Sequence, residues 1–98
     1  MSLSEKQKWI FRLYIAGEAP NSRMAIANLA EIRQAYRLDH YELEIVDILK
    51  DPSRALRDGI LVTPTLVRLC PEPPCRIVGN LSERLKVLQA LGLSGGTE

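Results

Sequence analysis

Ser82-Glu83-Arg84-Leu85-Lys86-Val87-Leu88-Gln89-Ala90-Leu91-Gly92 reads as a helix with Ser82 as its N-cap, a body over 83–91 and a glycine just past its end. Leu85 and Leu88, joined by Leu91, line one side of it, with Val87 at the margin. The chain therefore closes on a helix, and that assignment sets how the elements before it are arranged.

Working outward, two strand candidates precede this helix, 63–69 and 75–79, joined by Pro71-Glu72-Pro73-Pro74. Thr63-Pro64-Thr65 opens the first of them and shapes a binding edge. Asp51-Pro52 supplies an N-cap with proline at the first helical position, and Gly59 ends a short helix that runs through Arg57 and Asp58. Tyr41-Glu42-Leu43-Glu44-Ile45-Val46-Asp47 alternates polar and apolar side chains, as a half-exposed strand does. Residues 9–16 form an almost continuous apolar run, the pattern of a central strand covered on both faces. Between these two strands Asn21 or Ser22 can cap a helix whose Ala25, Leu29, Ile32 and Tyr36 face the sheet. A strand, helix and strand in that order predict a right-handed parallel unit. The whole order is β-α-β-α-β-β-α, a thioredoxin-like α/β domain over 1–98.

The 98 residues, 46% of them apolar, suffice for one small core. Thirteen basic residues stand against twelve acidic ones for a net charge of +1, and no basic block exceeds a pair, so a nucleic-acid footprint is absent. The apolar run from Trp9 is short and broken by Arg12, which fits neither a signal peptide nor a membrane span. The expected location is cytoplasmic and the expected partner is a protein surface.

The loop where a thioredoxin enzyme carries its redox pair reads Ala16-Gly17-Glu18-Ala19-Pro20-Asn21-Ser22 and contains no cysteine. A reactive thiolate wants a helix N-terminus, and the corresponding start here offers Asn21 and Ser22. Cys70 and Cys75 flank the proline-rich turn. They read first as two small buried hydrophobes, with a reversible disulfide, and a thiol oxidoreductase built on it, as the alternative. With the distant His40 they make no zinc set, and His40 beside Asp39 reads as a turn histidine, not a general base. No cofactor is expected. Arg54, Arg57, Arg68 and Arg76 make a sparse basic face, either solvated or anchoring a protein interface.

Leu13-Tyr14-Ile15-Ala16-Gly17 with Pro20-Asn21-Ser22, Val46-Asp47-Ile48-Leu49-Lys50-Asp51-Pro52, Ile60-Leu61-Val62-Thr63-Pro64-Thr65-Leu66, Arg76-Ile77-Val78-Gly79-Asn80-Leu81-Ser82 and Lys86-Val87-Leu88 together resemble the KaiB family of clock proteins. The resemblance implies a non-enzymatic regulator that binds a KaiC-type ATPase ring, with KaiA or a histidine kinase sensor domain as further partners; the chain ends before a kinase could begin. It implies a contact surface of Arg54, Arg57, Thr63, Pro64, Thr65, Arg68 and Arg76. It also implies two folds: a tetrameric ground state of order β-α-β-β-α-α-β, and a thioredoxin-like monomer in which Pro64, Pro71 and Pro73 are cis.

Several positions depart from the clock pattern in ways that bear on this choice. Ala90 stands where clock proteins have glycine, which favours helix by about 1 kcal/mol. Gly92 and Gly95 replace an aspartate and a tyrosine, and Gly59 replaces a lysine. All four bias the chain toward the thioredoxin-like monomer. The acidic tail of clock proteins is missing, and Cys75 takes the place of one of two adjacent arginines.

Overall fold

β1 (Lys8–Ile15) is the strand on which the rest is assembled in a computed structural model that describes residues 8–36, 38 and 40–93. It is followed by α1 (Pro20–Tyr36), β2 (His40–Asp47), α2 (Pro52–Asp58), β3 (Thr65–Cys70), β4 (Cys75–Val78) and α3 (Arg84–Leu91). The four strands form one sheet in the order β2-β1-β3-β4. β1 pairs in parallel with β2, from Lys8 against His40 to Ile15 against Asp47. It pairs antiparallel with β3, which in turn pairs antiparallel with β4. The expected element order and the parallel unit are both present. Gly95 and Asp39 fall outside the described residues.

The odd-numbered side chains of β1, Phe11, Leu13 and Ile15, face a core built with Ala25, Leu29 and Ile32 of α1 and Val87, Leu88 and Leu91 of α3. Tyr14 faces the opposite way, into a smaller core with Val46, Ile60 and Val67, against which Ala55 of α2 packs. Period-two alternation thus divides β1 between two cores, in keeping with its almost continuous apolar run.

Two helix starts differ from expectation, and the third, at Asp51-Pro52, falls where expected but without a side-chain capping bond. α1 begins at Pro20, whose missing N–H suits a first-turn position, so Ser22 lies inside the helix. There it is buried, and its Oγ accepts the N–H of Ala16 at 3.0 Å. Neither Ser22 nor Asn21 is the cap. At α2 the Asp51 carboxylate makes no capping bond and instead accepts the Ser53 hydroxyl at 2.9 Å. α3 starts one residue late, with Glu83 at its cap position and Ser82 outside, and it has no side-chain cap. Within α3, Leu85 faces outward, 72% exposed, and Val87, not Leu85, joins Leu88 and Leu91 in the core.

The helix ends follow the sequence more closely. Gly59 and Gly92 both adopt the left-handed region, at φ 70° and 82°, which costs glycine least. In each, the glycine N–H returns to a carbonyl of the last turn, and the next residue reaches one further back: Ile60 to Ala55 at 2.9 Å and Leu93 to Leu88 at 2.8 Å. Both second pairs also share a core, the apolar contact that accompanies this type of helix end. The peptide bonds before Pro64, Pro71 and Pro73 are cis.

Candidate functional site

The strand expected from Thr63 begins only at Thr65, and Ile60-Leu61-Val62 stand before it. The three residues form a loop in which Ile60 turns into the smaller core while Leu61 is 93% exposed and Val62 points outward. The loop is held at both ends. The Thr65 hydroxyl donates to the Val62 carbonyl at 2.7 Å, and the Gly79 N–H donates to the Pro64 carbonyl at 2.9 Å. Arg76 donates to the carbonyls of Asp58 and Gly59 at 2.6 and 3.0 Å. Next to this loop in sequence, α2 presents Leu56, 85% exposed, and Arg57. Large apolar side chains mounted outward on a hydrogen-bonded frame are the pattern of a docking surface, because water is a poor environment for them.

A groove of ≈ 630 Å³ runs beside Thr63 and Pro64 toward α3, lined also by Asn21, Asn80, Lys86 and Ala90. Asn80 organises its floor. Its amide donates to the Asn21 side chain at 3.1 Å, its side-chain oxygen accepts the Ser82 N–H at 3.0 Å, and its carbonyl accepts from Asn28 at 2.8 Å. Next in the chain the buried Leu81 sits at φ 67°, a conformation rare for a branched residue and costing about 1–3 kcal/mol.

The α2 side of this edge is fastened by charges. The buried Tyr14 donates its hydroxyl to Asp58 at 2.5 Å, and Arg12, Arg54 and Arg57 stand 3.7–3.9 Å from the same carboxylate. Glu44 accepts from both Arg54 and Arg12. These contacts hold both carboxyls below their usual range, Glu44 chiefly through Arg54 and Asp58 chiefly through Tyr14. Burial, and then the hydrogen bond to Asp58, raise the Tyr14 hydroxyl above its usual value.

Of the arginines expected on one face, Arg54, Arg57 and Arg76 do gather around Asp58 and Gly59. Arg68 does not. It is in register with Cys75, on the α1 and α3 side of the sheet, and is only 8% exposed. Thr65 is buried and acts through its hydroxyl bond, while Thr63 and Pro64 line the groove. Leu56, Leu61 and Val62 were not singled out in sequence. For Leu61 and Val62 the signal is an apolar run directly before the Thr63-Pro64 turn; Leu56 stands apart from that run, on α2.

The cysteines are not the two buried hydrophobes of the first reading. Both are half-buried thiols; Cys75 is paired across the hairpin with Arg68, not with Cys70, and its Sγ lies 3.5 Å from the Ala90 carbonyl. Among the described residues no cluster of His, Cys, Asp or Glu could hold a metal ion, and no helix is long and apolar enough to cross a membrane.

A four-stranded mixed sheet in the order β2-β1-β3-β4 with three helices, and no cysteine at the start of α1, places the chain in the thioredoxin-like fold class. Structural neighbours agree on the fold. The N-terminal domain of Synechococcus elongatus SasA superposes with a TM-score of 0.70 at 21% identity, over 88% of this chain and 85% of that one. The Drosophila melanogaster germline-specific thioredoxin Deadhead gives 0.67 at 16% identity, over 90% and 84%. The KaiB domain model matches residues 12–93. Circadian clock oscillator proteins KaiB from Prochlorococcus marinus and a Synechococcus species are 44% and 43% identical, each over 93% of this chain and over 78% and 83% of their own length. The chain belongs to the KaiB family, and its strand and helix order is that of the family's thioredoxin-like form.

Proposed function

We propose that this protein is a non-enzymatic regulator that binds a KaiC-type ATPase ring through the edge formed by α2 and residues 59–65. The observation that carries this reading is the outward display of Leu56, Leu61 and Val62 on a hydrogen-bonded frame. Arg54, Arg57 and Arg76 surround that display, and guanidinium groups beside apolar anchors are the usual composition of interface hot spots. The thioredoxin-like state is the resting monomer in this reading, supported by Gly59 and Gly92 closing the two helices and by Ala90 within α3. A KaiA-like protein or a kinase sensor domain of the same fold would then act on the same ring.

The test is binding of the purified protein to the KaiC-type ATPase of the same organism, followed by biolayer interferometry. Leu61→Asp and Leu56→Asp should each weaken binding at least about tenfold while circular dichroism stays unchanged. Absence of binding by the parent protein defeats the reading and leaves an adaptor for another partner.

A further inference from the structure

Arg68 is a buried guanidinium that, among the described residues, meets no carboxylate. Its Nη1 donates to the carbonyl of Leu91, the last residue of α3, at 2.8 Å. Its Nη2 donates to the carbonyl of Pro73 in the turn between β3 and β4, at 2.6 Å. Its Nε is buried with no hydrogen-bond partner. Removing a guanidinium from water is unfavourable unless its donors are met. Here the compensation comes from two carbonyls, one of them at the electronegative end of a helix. Gly92 brings its backbone close to the same guanidinium; a Cβ there would lie 3.8 Å from Nη1. One side chain therefore joins two elements that are 18 residues apart in sequence, taking Pro73 and Leu91 as the joined points.

α3 is also a wall of the groove, through Lys86, Val87 and Ala90, whereas Arg68 does not line it. We infer that Arg68 is a positioning residue for partner binding: by clamping the end of α3 and the 71–74 turn together it sets the groove wall without itself touching the partner. The role rests on the proposed docking edge over residues 59–65, which meets the groove at Thr63 and Pro64, but the clamp can be tested on the free protein. A planar fork with several donors can serve both carbonyls at once, whereas an ammonium on a flexible stem serves one site at a time.

The experiment compares the parent with Arg68→Met and Arg68→Lys by amide hydrogen exchange over residues 87–93 and backbone chemical shifts of residues 72–75. Binding to the KaiC-type ATPase is then measured for the same three proteins. In Arg68→Met, exchange at the end of α3 should quicken about 10- to 100-fold, the size set by hydrogen bonds from a charged donor. The shifts of 72–75 should move with it, while amides of β1 and β2 keep their protection. Arg68→Lys should be intermediate and keep one of the two elements near its parent state. This second variant also reads the clamp if the first does not fold. A change confined to one element in Arg68→Met, or an equal loss of protection in β1, overturns the inference. So does weakened binding with exchange and shifts unchanged, since Arg68 would then touch the partner directly. Failure of the parent to bind would defeat the proposed function and also the positioning role that rests on it, while the clamp itself would still be read from exchange and shifts.

Discussion

α2 and α3 are both short helices closed by a left-handed glycine, yet they are attached to the sheet by different forces. α3 buries Val87, Leu88 and Leu91, each contributing roughly 1.5–3 kcal/mol of apolar burial. α2 buries none of its residues completely. It is held by Ala55 and Ile60 against the small core and by the Tyr14, Asp58, Arg54 and Glu44 network. The helix that supports the domain is fixed by its core. The helix that faces a partner is fixed by hydrogen bonds and charges, so that its apolar residues remain available.

The largest expected effect is on the supporting helix: Leu91→Ala should destabilise the protein by about 2–5 kcal/mol, read by urea denaturation. Leu56→Ala should change stability by less than about 0.5 kcal/mol while weakening partner binding. If Leu56→Ala cost as much as Leu91→Ala, the contrast between the two helices would be wrong.

Tyr14→Phe comes next. It removes the hydroxyl that donates to Asp58 and should speed amide exchange in α2 about tenfold, leaving α3 unchanged. Acceleration in both helices would mean that they open as one unit.

The charge network also sets a pH profile. Glu44 and Asp58 titrate below their usual range, so their stabilising contribution is complete above that range and disappears as pH falls through the lowered values. Tyr14 titrates above its usual range, so its contribution is complete at lower pH and is lost as pH rises through the raised value. The attachment of α2 should therefore be flat between about pH 5 and pH 9 and fail first on the acid side, below about pH 4. Nuclear magnetic resonance shifts of 52–58 against pH provide the measurement, and a transition near neutrality would contradict it. The smallest effect is expected for Arg57→Ala, where an exposed ion pair of 3.7 Å to Asp58 is nearly neutral for folding and only the binding rate and affinity should fall.

Much of the architecture was legible in sequence because alternation and periodicity were strong. β1 showed both of its cores as one apolar run, and α1 showed its buried stripe at Ala25, Leu29 and Ile32. The helix ends were legible because glycine is the residue least penalised at positive φ. Two of the helix starts were not: Pro20 displaced the start of α1, and α3 begins one residue late, with its roll on the sheet burying Val87 in place of Leu85. Half of the site was hidden for a related reason. An apolar run of three residues carries no mark of whether it enters a sheet or stops short of one, and Leu61 and Val62 stop short. Arg68 did carry a readable signal, since it alternates in phase with the buried Leu66 and so points into the core; grouping it with the other arginines by charge obscured that. The left-handed Leu81 had no signal in the sequence.

Because Leu56 and Arg57 stand on α2 without entering either core, their identities can change with little effect on folding. Such a helix works as an exchangeable address written on a constant carrier. Related chains could diverge in the partners they recognise by rewriting these few letters, while Tyr14, Asp58 and the arginines around them keep the address mounted in the same place.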